Sequence, residues 1–343
     1  MPHYVGLDAG KQSTSICIVD EKGAIVKEGS VPTEPRTIIG FLRGDGRRYA
    51  RVGIEAMSMA AWLFEGLAKS GLPVICIEAQ HAHNVLKSRL NKTDRNDARG
   101  IAEIMRAGLY KAVHIKTLSS QRSRLLLTVR RHLARKQRDI ENLVRGALLQ
   151  FGLKHQAGRP TTFHKRAEQL AAKSSETREL VAALLRVRAV VVAEVKSMDR
   201  TIAELAAADP VCVRLQTAPG VGPLTALTYR VAIDVPERFA RSRDVGVHLG
   251  LTPRTYKSGA VDKKGRISKC GDKSARTALF LAAKIALGKR TRTSSLKTFG
   301  MKVAAARGYL RGVVATARRL AVVLHKMWVT GTDFRREPQA GMA

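Results

Sequence analysis

Apolar positions along the first hundred residues recur in short runs separated by turn signals, a strand-like pattern rather than that of long helices. YVGLD (4–8), STSICIVD (13–20) and, beyond the Lys22-Gly23 turn, AIVKEGSV (24–31) predict antiparallel strands joined by hairpins. RVGIEA (51–56) and LPVICIE (72–78) predict two more, on either side of a helical stretch from Ser58 to Ser70. Three strands in a meander, followed by alternating helices and strands, predict a mixed α/β sheet. From Thr93, DRNDARGIAEIMRAG predicts a helix capped by the threonine and stopped at Gly108.

The period then changes. Leu126, Val129, Leu133, Ile140, Leu143 and Ala147 follow a three–four spacing, and Leu180, Leu184, Val187, Val191, Val195, Met198, Ile202 and Leu205 repeat it. Two long helices are expected, joined by the stretch GRPTTF and paired with each other or with another subunit as a coiled coil; the bland alternative is two helices of a globular bundle. After Asp209-Pro210 a third region opens with TAPGVGPLTALTYRVAI. It runs through a loop rich in Gly, Lys and Arg to a helix from Lys273 to Leu287, and closes with a basic helix from Gly308 to Trp328. The expected organisation is therefore α/β plus α, with segments 1–117, 118–207 (helical) and 208–330 and a flexible tail, 331–343.

Composition narrows the partners. The 343 residues carry 61 Lys and Arg against 28 Asp and Glu, a net charge of +33, which points to a polyanion and first of all to nucleic acid. No apolar run approaches the roughly 20 residues that span a bilayer, and the N-terminus lacks a signal-peptide pattern, so no membrane partner and a cytoplasmic location are expected. Cys17, Cys76, Cys212 and Cys270 form neither a CxxC pair nor a disulfide framework. His81 and His83, without cysteine support, read as surface-loop residues rather than zinc ligands.

Four acids stand out against that charge. Asp8 and Glu55 each close an apolar strand, and neighbouring strand ends can bring them to one sheet edge. Asp94 and Asp97 are three apart, which on a helix puts both on one face with Cβ atoms roughly 5–6 Å apart. Crowded carboxylates repel unless a hard divalent cation takes their oxygens, and two such ions about 3.5–4 Å apart would clamp a phosphodiester. Each acid also has a plain reading: Asp94 as a helix cap, Asp97 as a partner of Arg95 or Arg99, Asp8 as a turn residue. GLDAG also resembles the first phosphate loop of actin-like ATPases, but the further glycine-rich loops such enzymes need are missing, and GVGPLT lacks the GxGxxG pattern of a dinucleotide site.

In the third region PGVGPLTA resembles a helix-hairpin-helix turn, in which Gly220 and Gly222 would let backbone N–H groups approach a phosphate; the same residues would suit any tight turn. HLGLTPRTYKSGAVDKKGRISKCGD places Ser258 among Lys257, Lys263, Lys264, Arg266 and Lys269, cations able to hold a phosphoryl group, as Lys92 and Arg95 are near the acids. Ser268 and Ser274 are rival serines. A serine in a basic loop is more often a phosphate hydrogen-bonder than a nucleophile.

VGLDAGK, GIEAM and KTDRNDA, followed by PGVGPLTA and GLTPRTYKSGAVDKKGRISKCGD, resemble the DEDD-type insertion-sequence transposases, bridge-RNA-guided recombinases, over nearly the whole chain. The resemblance implies an RNase H-like (RuvC-like) domain in which Asp8, Glu55, Asp94 and Asp97 hold Mg²⁺, and a C-terminal transposase domain whose Ser258 attacks DNA while a 3′-hydroxyl leaves. It further implies a structured noncoding guide RNA pairing with donor and target DNA, and a dimer, two of which form a tetramer with composite sites. Lys257 stands where a second serine is expected. Two other functions remain open from the residues: a structure-selective nuclease using metal-activated water, and a non-catalytic nucleic-acid scaffold explained by charge alone.

Overall fold

The computed structural model describes residues 1–44, 46–86, 93–156, 158, 160–258 and 261–335. They divide into two compact units, 1–116 and 117–343, so the long helices fall in the same unit as the C-terminal ones.

In the first unit β1 (His3–Ala9), β2 (Ser13–Val19) and β3 (Ile25–Pro32) form the expected meander, followed by α1 (Pro35–Arg43), β4 (Tyr49–Glu55), α2 (Ala60–Lys69), β5 (Val74–Ile77), α3 (Ala79–Leu86) and α4 (Asp94–Ala107). The Asp20 carboxylate closes the turn before β3 by accepting from Lys22 N and Ala24 N. The sheet order is β3-β2-β1-β4-β5, antiparallel across the meander and parallel from β1 through β4 to β5. Such a mixed sheet is consistent with the RNase H-like class. Both faces are covered, which is why STSICIVD shows an unbroken apolar run rather than alternation. Val5, Leu7, Ile16, Ile18, Val52 and Ile54 pack with Ile38, Leu42, Leu63 and Leu67 of α1 and α2. Cys17 and Val19 pack with Ala98 and Ala102 of α4 on the other face.

Thr93 caps α4, its hydroxyl accepting from Asn96 N, and Gly108 ends the helix at φ 70°. Asp94 is therefore not the cap. α4 lies hard against the sheet at two glycines: a Cβ on Gly6 would stand 2.1 Å from the Ala98 carbonyl oxygen, and one on Gly53 would stand 2.6 Å from Met105 Cγ. Arg51 Nη1, two residues before Gly53, donates to the Met105 carbonyl at 2.7 Å. The helix thus runs opposite to β1 and β4, with its N-terminus over their carboxyl ends.

The second unit starts with α5 (Leu118–Gln150), α6 (Phe163–Ala171) and α7 (Ser175–Ala208). The two long helices lie antiparallel against each other, tied by Arg130 to Asp199 at 2.8 Å and by Arg188 to Glu141 at 2.7 Å. Val144, Leu148, Phe163, Ala167, Val181 and Leu185 form the core at one end. α8 (Pro210–Leu215), with Pro210 at its first position and Asp209 capping Val211 N and Cys212 N, leads through the Pro219–Gly222 turn to α9 (Pro223–Ile233). After α10 (Asp244–His248) comes a hairpin, β6 (Pro253–Ser258) and β7 (Val261–Ile267), then α11 (Lys273–Ala286), α12 (Ser295–Arg307) and α13 (Tyr309–Thr330). These helices share one core, from Ile202 and Leu215 through Tyr229 and Leu279 to Leu324. Phe334 packs partly buried on it, and its N–H donates to Thr217 Oγ.

Three expectations need correcting. The basic stretch read as a loop is the hairpin β6–β7: Thr255, Tyr256 and Ile267 favour extended backbone, but the polar residues between them leave the run without alternation. His81 and His83 sit on α3, not in a loop. The helices α1, α3, α6 and α12 were not expected; the first three span only eight or nine residues, too short for a period to declare itself.

Candidate active site and nucleic-acid interface

The parallel pairing of β1 with β4 sets Leu7 opposite Ile54, which makes Asp8 and Glu55 the next residues on adjacent strands. Leu7 and Ile54 are fully buried toward α1 and α2, so by alternation Asp8 and Glu55 belong to the face that α4 covers. Both are half-buried, and neither is without an interaction partner.

α4 brings the other two acids to the same edge. Asp94 precedes Ala98 by four residues, and Ala98 lies on Gly6, two residues before Asp8. Asp97 precedes Ile101 by four, and Ile101 lies on Gly53, two residues before Glu55. One helical turn advances about 5.4 Å and two strand residues about 6.6 Å, so Asp94 comes over the end of β1 and Asp97 over the end of β4.

Arg95 and Arg99, which the sequence offers as neutralising neighbours, are engaged elsewhere. Arg95 donates to Glu28 of β3 at 2.6 and 2.8 Å, and Arg99 donates to both oxygens of the same carboxylate. The Glu28 side chain is only 11% exposed, and the Arg99 hydrogen bonds, with those of Arg95, hold it down at about 2. Asp94 and Asp97 have no side-chain partner among the described residues. Glu28 was not singled out in the sequence; the available signal was a carboxylate in a strand interior, opposite Cys17 on the covered face.

As a donor set, four carboxylates at one sheet edge suit a hard divalent cation in both chemistry and location. Among the described residues no three acidic, His or Cys side chains converge at ligating range, so the register gathers the acids at one edge without closing a cage around one point. Burial, with the Glu55 charge nearby, pushes the Cys76 thiol up to about 11, and burial with the Glu28 charge pushes Cys17 to about 12. Neither thiol offers a nucleophile near this edge.

In the second unit Ser258 ends β6 and is exposed, paired in the ribbon with Val261. Ser268 is half-buried at the ribbon's base, its N–H on the Thr252 carbonyl. Ser274 lies in the first turn of α11, where Arg131 of α5 donates to its hydroxyl. Arg266 and Lys269 are exposed. Lys92 and the side chains of Lys257, Lys263 and Lys264 lie outside the described residues. Gly220, at φ 80°, abuts α11, a Cβ there standing 2.2 Å from the Ala282 carbonyl oxygen, whereas Gly222 opens α9 with nothing nearby. Among the described residues no helix is long and apolar enough to cross a membrane.

The chain resembles known transposases in both of its units. A DEDD transposase model for IS110-type elements matches residues 5–152, which include all four acids, and the model described as transposase IS116/IS110/IS902 family matches residues 212–299, which include Ser258. The transposase for insertion sequence element IS1111A of Coxiella burnetii is 29% identical over 341 residues, 96% of this chain and 91% of that protein. The putative transposase y4pF/y4sB of Sinorhizobium fredii is 27% identical over 79% of this chain and 70% of its own length, and the transposase for IS1328 of Yersinia enterocolitica 28% over 68% and 70%. The chain belongs to the IS110 family of DEDD transposases, enzymes of DNA transposition. The scaffold alternative is thereby set aside.

Proposed function

We propose that this transposase cuts and rejoins donor and target DNA through a serine-linked intermediate, under the guidance of a noncoding RNA encoded by its element. The observation that carries the reading is the convergence of two independent elements on one sheet edge: β1–β4 pairing supplies Asp8 and Glu55, and the first turn of α4 supplies Asp94 and Asp97. These four are the residues that would hold Mg²⁺. When bound, the ion would offset the charge of the scissile phosphate and of the oxygen that leaves it.

Ser258 is the proposed nucleophile. Its Oγ forms a bond to phosphorus as the bond from phosphorus to the 3′-oxygen breaks; the serine proton passes to a base, and the departing 3′-oxygen takes up a proton. Its exposed place on a two-stranded ribbon suits attack on a phosphate in a bulky duplex, while Arg266 and Lys269 nearby in sequence supply backbone affinity. Guide-RNA pairing would read sequence, which fits a chain with 61 basic residues and few aromatics for base stacking. A dimer, and two dimers in a tetramer, would complete the composite sites.

The test incubates protein, guide RNA and a nicked suicide DNA with Mg²⁺ and resolves the products under denaturing conditions. A protein–DNA adduct is expected from the parent chain, and none from Ser258→Ala or Asp8→Asn. Cleaved DNA without any adduct would replace this reading with a metal-dependent nuclease that uses water.

A further inference from the structure

The floor beneath the first two turns of α4 is unusually smooth. Gly6 and Cys17 face Ala98 and Ala102 there, small residues on both sides of the contact. Helices against a floor of large side chains are indexed by ridges that sit in grooves; a contact between glycine and alanine sets the height of a helix but resists its rotation weakly. The far end of α4 has polar anchors to the rest of the unit, Arg51 on the Met105 carbonyl and Arg106 on the Glu21 carbonyl. At the N-terminal end the anchor is Glu28.

The helix positions make that anchor directional. Ala98, Ile101, Ala102 and Met105 face the sheet, and at 3.6 residues per turn Arg95 and Arg99 fall on the flank toward β3 while Asp97 falls on the flank toward β4, with Asp94 above the floor between. One carboxylate on β3 grips two guanidiniums a single turn apart. Two off-axis guanidiniums tied to one carboxylate on the sheet resist rotation about the helix axis more stiffly than one would.

We propose that Glu28 is a positioning residue for the acidic edge: by holding Arg95 and Arg99 it sets the roll of α4, and with it the aim of Asp94 toward Asp8 and of Asp97 toward Glu55. This rests on the reading that the four acids take a divalent cation. Glu28 itself lies on the β3 flank and contributes no ligand. Loss of its grip lets the first turn of α4 roll, and the same motion frees two cations within a few residues of the acids.

The experiment titrates the full chain with Mn²⁺, following the free ion by its paramagnetic resonance signal, and records a thermal transition for each variant. Glu28→Gln is expected to weaken Mn²⁺ binding by about 10-fold to 100-fold, the usual effect of removing a residue that orients metal ligands. Glu103→Gln, which breaks an ion pair at the other end of the same helix, is the control for general loosening and is expected to leave affinity unchanged. Arg99→Gln, which leaves Arg95 on Glu28, is expected to give an intermediate loss, and it stands in for Glu28→Gln if that variant does not fold. The proposal is overturned if Glu28→Gln or its stand-in binds Mn²⁺ as the parent does while Asp8→Asn does not, or if Glu103→Gln weakens binding equally. Equal binding by the parent and Asp8→Asn would instead remove the metal reading, and the role of Glu28 with it.

Discussion

Asp8, Glu55, Asp94 and Asp97 were legible as candidates because acids are scarce in this chain and each falls at the end of a readable element. What keeps Arg95 and Arg99 occupied was not, since it depends on a register between β2 and β3 that places Glu28 against α4. Titration exposes this pair. Glu28 has its pKa lowered from 4.5 to about 2, so it binds fewer protons than the unfolded chain; the stability it contributes is complete above 4.5 and is lost as pH falls toward 2. The stability difference between the parent and Glu28→Gln, measured by denaturant unfolding at a series of pH values, is expected to be about 2 kcal/mol near neutrality and to shrink through that window. Glycine carries a different burden. Gly6→Ala would drive a methyl into the Ala98 carbonyl, a backbone atom that cannot swing aside, and is expected to destabilise the first unit by about 3 kcal/mol or more, read as a lowered Tm.

At the scale of elements, the long helices declared themselves by their spacing, and α4 by its cap and stop. Their partners did not: a three–four stripe states that a helix buries one face, not against what. α5 and α7 answer with each other, and with a charged pair inside the seam. Burial pushes the Glu141 carboxyl up, but hydrogen bonds from Gln137 and Arg188 outweigh it and leave it below its ordinary range. Arg188 also lies over the Phe163 ring at 4.7 Å. Arg188→Met is expected to cost about 3–5 kcal/mol, because Glu141 would stay buried without its main partner, and Glu141→Leu added to it is expected to restore most of that loss. Thermal unfolding of the two variants decides it. The ribbon β6–β7 is the opposite case, an element hidden from pattern reading because PRTYKS and VDKKGRI are mostly polar and carry no regular alternation.

For the whole molecule, charge said more about partners than about shape. A net +33 directs the chain to nucleic acid, and the fall of affinity with salt measures how many phosphates it meets. Binding to duplex DNA is expected to weaken linearly on a log–log scale, by a slope of about 0.9 per phosphate contacted; Arg266→Gln, if that exposed side chain meets one, lowers the slope by about that amount. The division into two units also explains a limit of sequence reading. Motifs in fixed order put the acids in one unit and Ser258 in the other, and linear order does not encode whether one site would draw on both.

Thr117 sits at that division. It is the first residue of the second unit, and both its N–H and its hydroxyl donate to Asp234, at 3.0 and 2.8 Å, across 117 residues of chain. Asp234 is 4% exposed and held at φ 65°, a positive value uncommon outside glycine. Anyone separating the halves for expression therefore has a natural cut. A fragment that opens at Thr117 keeps the latch and the cap of α5, whereas one trimmed by three more residues leaves a buried carboxylate short of two donors.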